Sequence, residues 1–370
     1  VRDLSEGAKD APFEDYGLYT QVEQPNRMFL RNHLLDPNGY LYKAADFEFL
    51  RYPDELKDEN DPDYDRALFE TRLEIRGREE HGRLLAMLED VNNPSIPIAE
   101  VIERHFDLDN YLTWMAANLL MDNMDTTAQN FLLYSPLNQT KWYFLPWDYD
   151  AAWEWPRAYE YSAPYEGGLS NYWGSVLHNR FFRSTEHVRL LQEKMEELYA
   201  SAINETAVAE RVAAYRRTVE PFLRREPDVY YLPVEADRLE EAFELLMGVP
   251  SRAMERFKAD LEVPKPFFLG DPEPLGEGTY QFFWDPSFDL QGDDLVYEWS
   301  LARDPQFTDS VRRVQGIRET SLIVDGLSPG VYFWKVVVTD AAGHSQIPFD
   351  RFQDADGRLH YGVREFFAHE

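Results

Sequence analysis

Residues 121–150 read MDNMDTTAQNFLLYSPLNQTKWYFLPWDYD, and this stretch decides how the chain is interpreted. Asp125 is followed five positions later by Asn130. Two apolar runs come next, Phe131–Tyr134 and Trp142–Leu145, joined by Ser135-Pro136-Leu137-Asn138. Asp148 and Asp150 close the segment. Short apolar runs flanking a Pro- and Asn-containing turn predict a hairpin. Ahead of it, Leu108, Tyr111, Leu112, Met115 and Leu119 recur at helical spacing, which predicts a helix over 108–121. Asp107 or Asp109 is positioned to cap that helix. Helix, polar loop, hairpin and acidic exit therefore follow one another in a single compact run.

The order of these residue types matches phosphoryl transfer. Protein kinases place an Asp, an Asn five residues on, a hairpin, then a metal-binding Asp. The reaction needs few protein groups: one carboxylate to orient the attacking hydroxyl, and an amide plus a carboxylate to hold divalent metal on the phosphates. Read without any resemblance, the same residues also fit a solvated turn whose Asp and Asn bond to local backbone. The five-residue spacing alone does not separate the two readings.

A second piece lies upstream. Tyr16 to Glu23 alternates apolar and polar residues and predicts a strand. Asp36-Pro37-Asn38-Gly39 predicts a turn into Tyr40-Leu41-Tyr42-Lys43-Ala44, a second strand with a lysine in its apolar run. Lysine is seldom buried without a partner. Lys43 fits either a surface edge position or an inward face where it meets a carboxylate and a phosphate. Glu23 is the nearest acidic candidate for that partner.

These residues resemble the spore-coat protein H (CotH) kinase family, a group of atypical secreted or surface protein kinases. The resemblance rests on Tyr16-Gly17-Leu18-Tyr19 with Val22-Glu23-Gln24, Gly39-Tyr40-Leu41-Tyr42-Lys43, Asn123-Met124-Asp125 with Asn130 and Tyr134, and Lys141-Trp142 through Pro146-Trp147-Asp148-Tyr149-Asp150. It covers roughly residues 14–260. It implies an α+β, atypical kinase-like two-lobed fold, with Asp125 as the catalytic aspartate and Lys43 on the nucleotide phosphates, paired with Glu23. Asn130 and Asp148 are the implied metal ligands, with Asp150 supporting or replacing Asp148. ATP and Mg or Mn are the implied cofactors, and Ser or Thr of a protein the implied acceptor. Family members usually carry more sequence before the Gly-Leu-Tyr strand, whereas this chain begins at Val1, so a trimmed or processed chain is expected. The chain lacks a G-x-G-x-x-G loop, and Asn123 and Met124 stand where most kinases have His and Arg before the catalytic Asp.

The remaining sequence is consistent with this organisation. The chain has 370 residues, 44% of them hydrophobic and 15% aromatic, enough for two or three cores. Lys and Arg number 37 against 68 Asp and Glu, a net charge of −31 that disfavours nucleic acid as a partner. No uninterrupted apolar stretch of about 18 residues occurs, so no membrane span is expected. Cysteine is absent, which excludes disulfides, thiol catalysis and zinc–cysteine sites. The eight histidines include no H-E-x-x-H, against a zinc hydrolase. Asp58–Phe69 has the acidic look of a calcium loop but lacks its glycine and closing Glu, so a solvated loop is expected.

The expected organisation is a kinase-like domain over 1–263, with a small-lobe part to about 97 and a helical lobe over 98–263. Within it, residues 66–90 are read as one or two helices. The segment from Trp153 through Trp155, Pro156, Tyr159, Tyr161 and Tyr165 is an aromatic stretch fit for a packed lid or a ligand platform. After Val263-Pro264-Lys265-Pro266 the pattern turns to short alternating strands. Gly326 to Val336 with Asp340-Ala341-Ala342-Gly343 resembles a fibronectin type III domain, an all-β sandwich over 264–370. That resemblance implies an extracytoplasmic location and a surface or matrix partner. Two alternatives to a secreted or surface kinase are a catalytically silent kinase-like adhesin and a metal-dependent hydrolase using Asp148 and Asp150.

Overall fold

The computed structural model describes residues 13–154, 163–232 and 234–369. The first half contains α1 (Arg27–Asn32), β1 (Tyr40–Ala44), α2 (Arg66–Phe69), β2 (Leu73–Ile75), α3 (Gly82–Asn92), α4 (Ile98–His105), α5 (Leu108–Leu120), β3 (Phe131–Ser135) and β4 (Tyr143–Pro146). Helices α6 (Val176–Phe182), α7 (Thr185–Ser201), α8 (Glu205–Leu223), α9 (Leu239–Met247) and α10 (Val249–Leu261) follow. Asp107 caps α5 by accepting a hydrogen bond from the Asn110 amide. Most of α5 is buried because apolar residues occur on all its sides, including Trp114, Met115 and Leu120.

One antiparallel sheet, in the order β2-β1-β3-β4, organises this half. Tyr40, Tyr42 and Ala44 of β1 and Phe131 and Leu133 of β3 face the main core, which also takes in α5, α6, α7 and Phe257 of α10. The alternate residues Leu41, Leu132 and Tyr134 face the other way, under Leu30 of α1. This follows the period-two pattern of a strand. The lysine strand and the hairpin of residues 131–146 are therefore neighbours in one sheet over one core. Residues on both sides of position 97 contribute to that core.

Two expectations need correction. Residues 16–23 pair with no strand among the described residues; Phe13, Tyr16, Tyr19 and Val22 are largely exposed. The segment is held instead by polar contacts, with the Leu18 amide donating to Asp228 and Arg225 pairing with Asp15. Alternation prescribes two faces but supplies no neighbour to bury one of them. The stretch 66–90 is also not purely helical, since β2 lies in its middle, paired with β1.

Residues 273–368 form antiparallel strands. These are β5 (Glu273–Gly276), β6 (Thr279–Phe283), β7 (Val296–Ala302), β8 (Ser310–Ile317), β9 (Ser321–Val324), β10 (Gly330–Thr339), β11 (Ser345–Gln346), β12 (Arg351–Gln353), β13 (Leu359–Tyr361) and β14 (Val363–Ala368). A three-stranded sheet β5-β6-β9 and a five-stranded sheet of β11, β10, β7, β8 and β14 share an aromatic core of Phe282, Trp284, Trp299, Tyr332, Trp334 and Phe366. Asp354–Gly357 turns between β12 and β13. The two halves meet where Trp173 stacks on Phe288 at 5.6 Å and Tyr165 packs on Phe349. Lys265, fully buried, bonds Asp260 at 3.3 Å there. Among the described residues no helix is long and apolar enough to cross a membrane.

Candidate active site

The polar loop after α5 is fixed from below by buried hydrogen bonds. Asn118 on α5 donates to the Trp114 carbonyl and accepts from Asn123 at 3.1 Å. The Tyr172 hydroxyl reaches the Asn123 carbonyl at 2.9 Å and Thr126 Oγ1 at 2.8 Å. Asn171 donates to the Met124 carbonyl. The Phe47 amide, just beyond β1, donates to the Ala128 carbonyl at 2.7 Å and ties the other side. A loop held by satisfied buried polar groups is both ordered and specific in shape.

On this base, Asp125 and Asn130 meet. Asn130 Nδ2 donates to Asp125 Oδ2 at 2.6 Å, and Gln129 Nε2 to Asp125 Oδ1 at 2.6 Å. Asn130 takes a left-handed backbone, φ 59°, which Asn tolerates better than most residues. With its amide nitrogen on Asp125, the Asn130 carbonyl oxygen is the atom left to meet a ligand.

The hairpin register sets the end from which Asp148 leaves the sheet. Phe131 pairs with Pro146, so Asn130, one residue before β3, and Asp148, two residues after β4, leave the same end of the hairpin. Lys43 pairs with Leu132 across β1 and β3, close to that end. Asp148 has φ 54° and opens a single helical turn over Tyr149–Ala151. Asp148 and Asp150 are exposed. Burial and a hydrogen bond from Asn118 act on Tyr149, burial dominating and pushing its hydroxyl pKa up. Beside the turn opens a cavity of about 580 Å³, walled by Met121, Tyr149, Asp150, Trp153, Val208 and Arg211.

Lys43 does have a carboxylate partner, but it is not Glu23. Lys43 Nζ bonds Glu74 Oε1 at 3.0 Å, across the β1–β2 ladder. Burial works to raise the Glu74 carboxyl pKa, and the Lys43 and Arg76 contacts outweigh it and hold it below the ordinary value. Glu23 instead takes hydrogen bonds from Asn32 at 2.6 Å and His33 at 3.0 Å, on the surface. The pairing with Glu23 required residues 16–23 to be a strand beside β1, and they are not. The signal for Glu74 was present in Leu73-Glu74-Ile75, a three-residue apolar–charged–apolar alternation inside a charge-dense stretch.

Among the described residues no group of three or more His, Asp and Glu stands ready to hold a metal ion. Asn130, Asp148 and Asp150 would offer two carboxylates and an amide to a metal ion. That suits Mg²⁺ or Mn²⁺ carried in with phosphate oxygens, since Mg²⁺ is usually held by one or two carboxylates plus substrate phosphates. Of the aromatic stretch, Trp155, Pro156, Tyr159 and Tyr161 lie outside the described residues. Tyr165 is buried against Phe349 in the joint between the halves.

Comparison with known proteins gives the family. The family model described as CotH kinase protein matches residues 6–249. A curated relative, the inner spore coat protein H of Bacillus subtilis (strain 168), is 25% identical over 221 residues, 57% of each chain. The chain thus spans just over half the length of that relative. Among solved structures, the twitchin kinase region from C. elegans is 14% identical over 26% of this chain and 20% of that one, with a TM-score of 0.20. The fibronectin type III domain of human fibronectin type III domain containing protein 3 is 13% identical over 29% of this chain and 86% of that one, also at 0.20. Neither structural likeness is close enough to carry an argument. The match to the family model over two thirds of the chain does carry one: the protein belongs to the CotH kinase family.

Proposed function

We propose that this protein transfers the γ-phosphoryl group of ATP to Ser or Thr of a protein acceptor, at an extracytoplasmic surface such as a spore coat. The observation that carries the reading is the 2.6 Å bond between Asp125 and Asn130 at the hairpin end from which Asp148 also leaves. Spore-coat membership of the Bacillus relative supports the surface setting.

In this reading Asp125 accepts a hydrogen bond from the acceptor hydroxyl and aligns its oxygen with the γ-phosphorus. Gln129, exposed and bonded to Asp125 Oδ1, yields its place to that hydroxyl. Asn130 Oδ1, Asp148 and Asp150 would hold Mg²⁺ or Mn²⁺, which neutralises phosphate charge when bound. Lys43, kept in position by Glu74, binds phosphate oxygens from the neighbouring strand. The C-terminal two-sheet unit is a docking surface for a matrix or surface partner.

A catalytically silent binding protein is a second reading with one observation in its favour. Both carboxylate oxygens of Asp125 already accept amide hydrogens. Calorimetry with ATP and Mn²⁺, followed by transfer of labelled γ-phosphate to the protein itself or a Ser-rich peptide, separates the two. Transfer abolished by Asp125→Ala supports the kinase; binding without transfer supports the silent protein.

A further inference from the structure

The catalytic loop and the acidic turn are fastened to each other at their roots. The Trp153 amide donates to the Met121 carbonyl at 2.7 Å. Next to that bond, Arg256 Nη2 lies 3.2 Å from Asp122 Oδ1 and 2.8 Å from Glu154 Oε1. Arg252 takes the other side of Glu154, with Nη2 at 2.6 Å from Oε2 and Nε at 3.1 Å from Oε1. Both arginines stand one turn apart on α10, 98 and 102 residues after the Glu154 they hold.

Asp122 and the Glu154 carboxylate are largely buried. Burial works to raise the Glu154 pKa, and the arginine hydrogen bonds outweigh it and keep the carboxyl below the ordinary value. The backbone around them is strained: Asp122, Trp153 and Glu154 have φ of 50°, 64° and 60°. Trp and Glu have no side-chain device to favour that region, and such residues persist only where their surroundings over-determine them. Charge-assisted hydrogen bonds from both guanidinium groups to Glu154, with the ion pair from Arg256 to Asp122, supply that determination.

We infer that Arg256, seconded by Arg252, is a positioning residue that couples the Asp125 loop to the Asp148–Asp150 turn, so that the aspartate aligning the acceptor and the carboxylates facing the metal move as one unit. The functional half of this statement rests on the phosphotransfer reading; the mechanical half does not. The same helix continues to Asp260, which takes the Ser170 amide at 2.9 Å and pairs with buried Lys265 at the entrance to the two-sheet unit. One helix thus spans from the joint between the halves to the roots of both loops.

The test is amide hydrogen exchange on the full chain, comparing the native protein with Arg256→Gln. Exchange at residues 121–126 and 148–154 should accelerate together, by about tenfold or more, with β10 unchanged. Arg256→Lys, which keeps the charge but not the planar fork, should fall between the two. Acceleration in only one of the loops, or in neither, overturns the coupling. Should Arg256→Gln fail to fold, Glu154→Gln carries the same comparison, with the same two outcomes. In phosphate transfer, Arg256→Gln should lower kcat by about tenfold or more while KM for ATP shifts less than about threefold. Native protein that transfers no phosphate would end the proposed function, yet the exchange result would still decide whether the clamp exists.

Discussion

The acidic end of the 131–146 hairpin and the C-terminal two-sheet unit are built on opposite terms. The first is polar, partly exposed and left-handed at Asn130 and Asp148, and buried amides and hydroxyls with half-buried arginines hold it in shape. The second is held by three buried tryptophans and a long antiparallel ladder, β10 with β7 and β14. One region owes its geometry to satisfied polar partners, the other to aromatic burial. Their responses to perturbation should differ accordingly.

The largest effect is expected in the two-sheet core. Trp334→Ala should cost about 3–5 kcal/mol, because a fully buried aromatic is lost and a cavity is left. Calorimetry should show the C-terminal transition falling ahead of the helical one. A single unsplit transition would show that the joint of Lys265, Phe288 and Phe349 fuses the two halves thermally.

Acid should sharpen the contrast from the other side. Burial pushes the His178 imidazole, packed between Tyr111 and Trp114 below the hairpin, down to about 3. A histidine whose folded pKa is depressed stabilises fully above its unfolded value, near 6.5, and loses that contribution as pH falls toward the folded value. The helical half should lose roughly 2 kcal/mol from this group by pH 5. In the two-sheet unit burial shifts Asp285 and Asp350 upward, while hydrogen bonds hold Glu298, Asp304, Asp340 and Asp354 below the ordinary value, so its carboxylates oppose one another and respond only at lower pH than His178. Melting followed from pH 7 to pH 4 should therefore loosen the helical half first. Loss of the two-sheet unit first would contradict this balance.

A smaller effect isolates the polar scaffold. Tyr172→Phe removes the hydroxyl shared by Thr126 and the Asn123 carbonyl and should cost about 1–3 kcal/mol for leaving buried partners unpaired. Its mark should be a more mobile loop over 121–130 with the strands of residues 273–368 unaffected, read by amide exchange.

The same division governs what could be read in advance. Helix α5, a cap at Asp107 or Asp109 and the hairpin were legible, because each is a local pattern with a local cause. Strand β9 and the tryptophan rows were legible for the same reason. The strand expected over 16–23 failed because alternation says nothing of whether a neighbouring strand exists. Strand β2 is marked only by the single alternation Leu73-Glu74-Ile75, too short to stand out from the charge-dense stretch around it. Glu74 as the partner of Lys43, and Arg256 as the tie between Asp122 and Glu154, depend on register and on contacts across 31 to 134 residues of chain, which spacing does not encode. The sequence thus shows which polar residues meet at the hairpin end, Asp125 and Asn130, but not the side chains that support them.

The central claim is that the carboxylate at position 125 aligns a hydroxyl for phosphate transfer. Its most direct test is the transfer of labelled γ-phosphate from ATP and Mn²⁺ by the native chain and by Asp125→Ala. The expected result is transfer by the native protein and a loss of about a thousandfold or more in the variant, with its melting temperature little changed. Undiminished transfer by Asp125→Ala, or none by a native protein that binds ATP with Mn²⁺, would contradict the account.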